Sequence, residues 1–389
     1  RYNSYVFNSC IYSYIFFFRG GKMKGKLILE NGMSFDGKIF GHFGETTGEI
    51  VFTTGMTGYQ EVLTDPSLYG KIVVMTYPMV GNYGLNLEDM ESDKIHLKGF
   101  IIKEDAKLPN NFRCEMTLEG FLSQYNVVGF KGVDTRELTK IIRDKGSMKA
   151  IITDKELTHK ELKERFDNFS YENAVEQVSR KGIIEIGGNG LKIGVLDLGV
   201  KRSTLDLLEK MGFAVSVFPY NTSSNELLRH NLDGLIISSG PGDPNEMKEI
   251  IKEVKGTLSN VPMLGISLGA QIMNLALGGS VTKMKNGHRG VNHPVEDLNR
   301  KKIYITDQNH GYSIENLGGA SETTHMNLND KTIEGFRCDS LAAMGVQFMP
   351  DLSGEDLNNV FADFMAVIEK GIVEKNNDKE CEKKEAHLN

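Results

Sequence analysis

Two hydrophobic rhythms divide the chain. Near its start, Leu27, Leu29, Met33 and Phe35 flank Asn31-Gly32, and apolar alternation on either side of such a dipeptide predicts a hairpin with a two-residue turn. β-rich runs follow at 49–52 and 71–77, and helical spacing returns over 135–143. Residues 23–154 are therefore expected to form a β-rich domain. Residues 155–185 are polar and lack a clear period, and Gly187-Gly188-Asn189-Gly190 breaks the pattern, so 155–190 are expected to be a linker.

From Leu191 the rhythm changes. Short apolar runs over 192–198, 214–218, 234–238 and 261–266 alternate with amphipathic stretches over 202–211, 225–230, 245–258 and 268–277. This alternation predicts an α/β domain over 191–373 with a mostly parallel sheet covered on both faces. Ligands of such sheets bind beyond the carboxyl ends of the strands, so the chemistry is expected in the loops after Leu198, Ser238 and Ile266.

The ends differ from the body. Residues 1–22 lack an initiating Met, and eight of them are Tyr or Phe. Their apolar run over 12–18 falls short of the about 18 residues a membrane span needs, and no secretory cleavage pattern follows. They read as a leader foreign to the fold, with Met23 as the functional start. Residues 374–389 are charged, with little to bury, and are expected to be disordered. A net charge of −7 gives no pull toward nucleic acid or an anionic membrane. The four cysteines show neither zinc-ligand nor disulfide spacing, which suits a reducing, cytoplasmic setting and a chain without a metal. The 42 glycines among 389 residues exceed the usual share of about 7% and point to loops that approach ligands closely.

Two of those loops could carry chemistry. Gly265-Ile266-Ser267-Leu268-Gly269 joins a strand directly to a helix, the spacing of a strained turn that lifts its central side chain above a sheet. The helix behind it offers free backbone N–H groups to an oxyanion. Ser238-Ser239-Gly240-Pro241-Gly242-Asp243-Pro244 holds two glycines and two prolines within five residues, which implies a fixed shape.

With these motifs the chain resembles the small, glutamine-amidotransferase subunit of carbamoyl-phosphate synthetase, over about residues 25–370. Further segments carry the likeness: Thr57-Gly58-Tyr59-Gln60-Glu61, Leu63-Thr64-Asp65-Pro66, Tyr77-Pro78, Gly81-Asn82, Val133-Asp134-Thr135-Arg136, Asn292-His293-Pro294-Val295 and Gln308-Asn309-His310-Gly311-Tyr312. The resemblance implies a class I glutaminase, in which an elbow cysteine attacks the glutamine amide, a histidine moves the proton and a glutamate orients the histidine. Ammonia would pass to a large synthetase subunit holding ATP and magnesium, for carbamoyl phosphate in pyrimidine and arginine synthesis; no cofactor is expected in this chain. By position, the glutamine pocket would comprise Gly55, Gly240, Gly242, Leu268, Gln271, Asn309, Gly311 and Tyr312. Its oxyanion donors would be the N–H groups of Gly240 and Leu268. The family usually carries serine at position 55.

The departures fall on the triad positions. Ser267 stands where the family has cysteine, Ala270 where it has histidine, and Phe348-Met349-Pro350-Asp351 where it has Phe-His-Pro-Glu. A serine hydroxyl needs a base to become nucleophilic, and the Met349 thioether cannot accept a proton at any useful pH. Ser267, Met349 and Asp351 are therefore expected to form a non-functional triad, with glutamine hydrolysis impaired. His288, His293 and His310 are read as structural hydrogen-bonding residues, and Asp351 as a solvated or helix-capping carboxylate. Two other readings compete. One is a catalytically dead subunit of an ammonia-dependent synthetase, which would still dock on its large subunit. The other is a serine hydrolase using the Gly-x-Ser-x-Gly elbow, but it lacks an HGGG-type oxyanion loop and leaves the first domain unexplained.

Overall fold

A computed structural model describes residues 23–171, 173–350 and 359–371. The leader over 1–22, Asp351 and the tail over 374–389 lie outside the described residues. The chain divides into two units: one takes the residues up to Ser170 apart from Asp65–Tyr69, and the other takes Asp65–Tyr69 and the chain from Tyr171.

The first unit is strand-rich. Its strands are β1 (Met23–Leu29), β2 (Ser34–Gly41), β3 (Thr46–Thr53), β4 (Lys71–Met75), β5 (Met79–Val80), β6 (Gly99–Ile102), β7 (Glu104–Asp105), β8 (Val128–Lys131) and β9 (Met148–Thr153). Seven of them close a barrel in the order β1-β2-β8-β6-β4-β3-β9. Closure removes sheet edges and turns alternate side chains inward, so Leu27, Leu29, Ile50, Ile72, Val74, Ile101 and Phe130 share one core. The helix Thr135–Lys145 packs Leu138 and Ile142, one turn apart, against it. Asp134 caps that helix by accepting from the Arg136 and Glu137 N–H groups at 3.0 Å.

The first hairpin forms, with a different turn. Leu29 pairs back to Met33, with its N–H on the Met33 carbonyl at 2.8 Å, so three residues, Glu30, Asn31 and Gly32, make the loop. Gly32 has φ of 86° and Asn31 does not enter the left-handed region, so one residue rather than two supplies the positive φ.

The stretch over 155–190, expected to be a linker, carries the helices His159–Asp167 and Ala174–Val178 and the strand β10 (Ile184–Ile186). The first helix has a capping box: Thr158 accepts from the Glu161 N–H and the Glu161 carboxylate accepts from the Thr158 N–H. Polar composition hid a helix whose start is set by that reciprocal pair. At Gly190 the backbone N–H donates to the Gly212 carbonyl at 2.9 Å, so the glycine run is tied to the second unit.

The second unit is an α/β sheet of ten strands in the order β10-β12-β11-β13-β14-β19-β18-β16-β15-β17. They are β11 (Lys192–Asp197), β12 (Ala214–Pro219), β13 (Gly234–Ile237), β14 (Met263–Ile266), β15 (Ser280–Asp297), β16 (Lys302–Asn316), β17 (Glu322–Asn327), β18 (Ile333–Cys338) and β19 (Ala343–Val346), with β10 at one edge. Strands β12, β11, β13, β14 and β19 are parallel, and β15 to β18 extend the sheet antiparallel. Apolar residues alternate between its two faces. Leu235 and Ile237 join one core with helices Lys248–Thr257 and Leu268–Ala276. Ile236, Leu264 and Ile266 join the other with helix Arg202–Lys210 and a helix over 359–371.

Candidate active site

Three loops converge at the carboxyl ends of β11, β13 and β14. A Cβ placed on Gly240 would collide with the Leu198 carbonyl and stand 3.0 Å from Leu268 Cδ2, so Gly240 must be glycine for the loops to meet. The elbow is equally tight. A Cβ on Gly269 would run into the Ile237 carbonyl oxygen, and one on Gly265 would lie 2.6 Å from Ala270 backbone atoms.

Between these glycines Ser267 adopts φ 54° and ψ −111°, outside the regions a non-glycine residue occupies without strain. Its N–H donates to the Val346 carbonyl at 2.8 Å and its carbonyl accepts from the Gln271 N–H at 3.2 Å, so the neighbouring strand and the helix together hold the turn. The side chain is buried, and among the described residues its hydroxyl has no hydrogen-bond partner. Leu268 opens the helix, and among the described residues its N–H, with that of Gly240 nearby, has no backbone partner. Donors so placed at a helix N-terminus suit a developing oxyanion.

Met349 lies three residues past β19, the strand that pairs with β14 through Ile266 and Val346, so Ser267 and Met349 leave neighbouring strands at the same end of the sheet. The Met349 N–H is pinned to the Asp307 carbonyl at 2.9 Å, and its side chain packs in the apolar cluster that includes Ile266, Val346 and Phe348. A thioether there neither accepts a proton nor orients one.

The remaining pocket residues fall on two elements. Gln271, on the elbow helix, donates through Nε2 to the Tyr312 carbonyl at 2.9 Å and to Gln347 Oε1 at 3.1 Å. Asn309, Gly311 and Tyr312 lie on the strand β16. Its alternation, with Thr306, Gln308 and His310 buried between more open neighbours, was a readable signal masked by its polar content. Asn309 donates through Nδ2 to Asp65 Oδ2 at 2.8 Å, and the same oxygen lies 3.1 Å from Lys201 Nζ. Asp65 groups with this unit, and neither it nor Lys201 was singled out as a site residue. Gly242 lies on the Gly-Pro loop with φ of 105°. Gly55 belongs to the first unit, after β3, where its N–H reaches Thr53 Oγ1 at 3.4 Å.

Beside this strand lies a buried polar cluster in which His288 and His310 make structural hydrogen bonds, and whose central acid, Glu334, sequence reasoning did not single out. Glu334 on β18, fully buried, accepts from Gln308 Nε2 at 3.0 Å and Asn327 Nδ2 at 3.1 Å, and pairs with His288 Nδ1 at 3.1 Å. His288 Nε2 meets Asp330 at 2.8 Å. Burial pulls the His288 pKa down, but the hydrogen bonds and charges of Glu334 and Asp330 outweigh it and leave it above its ordinary value. Burial pushes His310 down to about 4, against the opposing pull of the Glu334 charge and the Tyr312 carbonyl. His293 is also lowered, by burial and then by the charge of His288. Among the described residues, none of these rings hydrogen-bonds the Ser267 hydroxyl. His288, His310 and Glu334 bring donor atoms within 4.8 Å of one another and could approach a cation, though each already has protein hydrogen-bond partners. Among the described residues no helix is long and apolar enough to cross a membrane.

Comparison with known proteins places this geometry. Residues 27–152 match the family described as carbamoyl-phosphate synthase small chain, CPSase domain, and residues 194–367 match glutamine amidotransferase class-I. The carbamoyl phosphate synthase small chain of Clostridium perfringens is 48% identical over 345 residues, covering 88% of this chain and 99% of that protein. This chain belongs to the carbamoyl-phosphate synthase small-chain family. The small chain of Bacillus caldolyticus is 45% identical over 352 residues, covering 89% of this chain and 97% of its own. The pyrimidine-specific small chain of Bacillus subtilis is 44% identical over 351 residues, covering 89% and 96%. As a small chain with an amidotransferase domain, this member has an elbow whose backbone is complete and whose side chains are an alcohol at 267 and a thioether at 349.

Proposed function

We propose that this protein is a carbamoyl-phosphate synthase small chain that binds glutamine at the elbow but hydrolyses it poorly. The observation that carries the reading is the Ser267 hydroxyl, which has no acceptor among the described residues, next to a strand end where Met349 packs into apolar core. An alcohol becomes nucleophilic only as its proton leaves, and among the described residues no group takes it. Shape is not the obstacle, since the turn, the two N–H donors and the Gln271–Tyr312 wall are all present. Loss of a triad member in a hydrolase leaves about 10³–10⁴-fold acceleration over water from binding and the oxyanion hole, and we assign that residual level here.

The pocket is Gly240, Gly242, Leu268, Gln271, Asn309, Gly311 and Tyr312. With Asn309 Nδ2 turned toward Asp65, its Oδ1 is available as an acceptor, which suits the α-ammonium of glutamine. The partner is the large synthetase subunit, which holds ATP and magnesium, in the cytoplasm. The name of the Bacillus subtilis relative favours the pyrimidine branch over the arginine one.

A second reading, a docking subunit for a synthetase fed by free ammonia, is favoured by the same isolated hydroxyl. Purification of this chain with a large subunit, assayed in parallel with glutamine and with ammonium, separates the two. Carbamoyl phosphate from glutamine at rates near those from ammonium overturns the impaired-hydrolysis reading. Heat of glutamine binding in the absence of turnover supports it, and absence of both leaves the docking role alone.

A further inference from the structure

The hairpin of β15 and β16 has two different faces. His288 and His310 oppose each other across the ladder and are buried, with ring centroids 5.0 Å apart. The next opposed pair, Arg289 and Asn309, is turned to the other face, because successive side chains on a strand alternate. Directly opposed residues hold their Cβ atoms about 5 Å apart, so these two side chains are neighbours. The Asn309 amide reaches Asp65, which also meets Lys201 from the loop after β11, so this face is tied to the carboxyl ends where the elbow stands.

Arg289 is only partly exposed, and its head is held back against the hairpin. Its Nη1 donates to the Asn286 carbonyl at 2.5 Å, and its guanidinium lies against two glycines. A Cβ on Gly287 would strike Nη1 and the His310 carbonyl, and one on Gly311 would stand 3.0 Å from Nη2. Gly287 has φ of 70° and sits in the bulge of β15 between Lys283 and His288. Gly311 is a pocket residue, so the guanidinium stands at the pocket wall.

We propose that Arg289 receives the α-carboxylate of glutamine, while the neighbouring Asn309 Oδ1 accepts from the α-ammonium. The inference deepens the glutamine-pocket reading above and rests on it. A guanidinium offers N–H donors in a fixed fork that matches a carboxylate. Asp65, as a carboxylate, only accepts, which turns Asn309 Nδ2 toward it and presents Oδ1 as an acceptor. The two ligand groups sit on one carbon, and two directly opposed strand residues are spaced to meet both. The ligand class that follows is a free α-amino acid, rather than a glutamine whose carboxylate is amidated or joined to a peptide.

The test uses the full chain and three ligands: glutamine, its α-amide glutaminamide, and 4-carbamoylbutanoate, which keeps the carboxylate and lacks the ammonium. Affinities are read by calorimetry, with NMR titration for weak binding, and the Arg289 ¹⁵Nε signal is followed. Arg289→Met is expected to weaken glutamine and 4-carbamoylbutanoate by about 10- to 100-fold each, the size of a charge-assisted hydrogen bond. Glutaminamide has no carboxylate to lose and is expected to stay within about two-fold or to bind better. Arg289→Lys keeps the charge without the fork and is expected to fall between. In the unaltered chain the Arg289 signal moves with glutamine and with 4-carbamoylbutanoate.

Equal losses for all three ligands in Arg289→Met, or an Arg289 signal unmoved at saturating glutamine, overturn the inference and leave the pocket reading standing. If Arg289→Met does not fold, Arg289→Lys carries the ligand comparison. If glutaminamide binds too weakly to measure, the Arg289 signal decides. Absence of glutamine binding to the unaltered chain overturns the pocket reading, and this inference with it.

Discussion

The elbow at Ser267 and the cluster around Glu334 share one unit and are built in opposite ways. The elbow is a matter of volume: glycines at 240, 265 and 269 stand where any side chain would strike backbone, and apolar cores lie on both faces of the sheet behind it. The Glu334 cluster is a matter of partners, with a fully buried carboxylate, two imidazoles and two amides each satisfying another. The difference shows what each kind of construction tolerates. A site held by packing keeps its shape when its reactive groups change, because among the described residues no hydrogen bond of the Ser267 side chain supports the turn. A site held by directed hydrogen bonds depends on every member, because an abandoned buried donor or acceptor costs about 1–3 kcal/mol.

The sharpest way to break this contrast is to put the proton acceptor back. Ser267→Cys with Met349→His should raise ammonia release from glutamine by about 10³-fold or more, if the elbow lacks only its nucleophile and base. A rate that stays at the level of the unaltered chain would mean the backbone is not in a working geometry. Next in size, Gly269→Ala should cost about 3 kcal/mol or more in urea unfolding, because the added Cβ meets the Ile237 carbonyl and strand and helix must part. A normal midpoint would show that packing does not hold the turn.

The cluster makes a smaller, pH-dependent prediction. The folded-state pKa of His288 is raised, so its contribution is fully present below the unfolded value near 6.5 and is lost as pH rises through the folded one. Unfolding free energies at pH 6 and pH 9 should therefore converge between the unaltered chain and His288→Gln, with the unaltered chain losing the difference. His293, His310 and His325 are lowered and act in the opposite sense, weakening the fold as pH falls below about 6.5. Part of the His293 and His310 shifts comes from the His288 charge and is relieved in His288→Gln, so the gap at pH 6 is smaller than the His288 pair alone would make it. A gap that widens toward pH 9 would contradict the charge assignment. Smallest of all is Lys26→Ala, outside both regions. Its pair with Glu156 at 2.7 Å is open to solvent, and the urea midpoint should not move.

Much of this was legible in the chain itself. The repeats over 191–277 produced their strands and helices because a strand buried on both faces must be apolar and each helix must turn one apolar stripe toward it. The elbow was legible for the same local reason, as five residues with glycines at fixed offsets. Less legible were the helix at His159–Asp167, hidden by polar composition, and the β15–β16 hairpin. In that hairpin buried positions are taken by Thr306, Gln308 and His310, so a hydrophobic alphabet sees no alternation. Asp65 and Lys201 escaped because their use depends on Asn309, which is 244 residues from Asp65.

By itself the sequence determined the alternating strands and helices over 191–277, the glycine geometry around residue 267 and the chemical poverty of an alcohol and a thioether at 267 and 349. Those are properties of residue type and short-range spacing. Only the tertiary structure decided that 267 and 349 leave adjacent strands at one end of the sheet, and that Glu334 stands between His288, 46 residues away, and Gln308, 26 residues away. Strand pairing and register come from the packing of the whole unit, and no local pattern records which distant polar group will satisfy a buried charge.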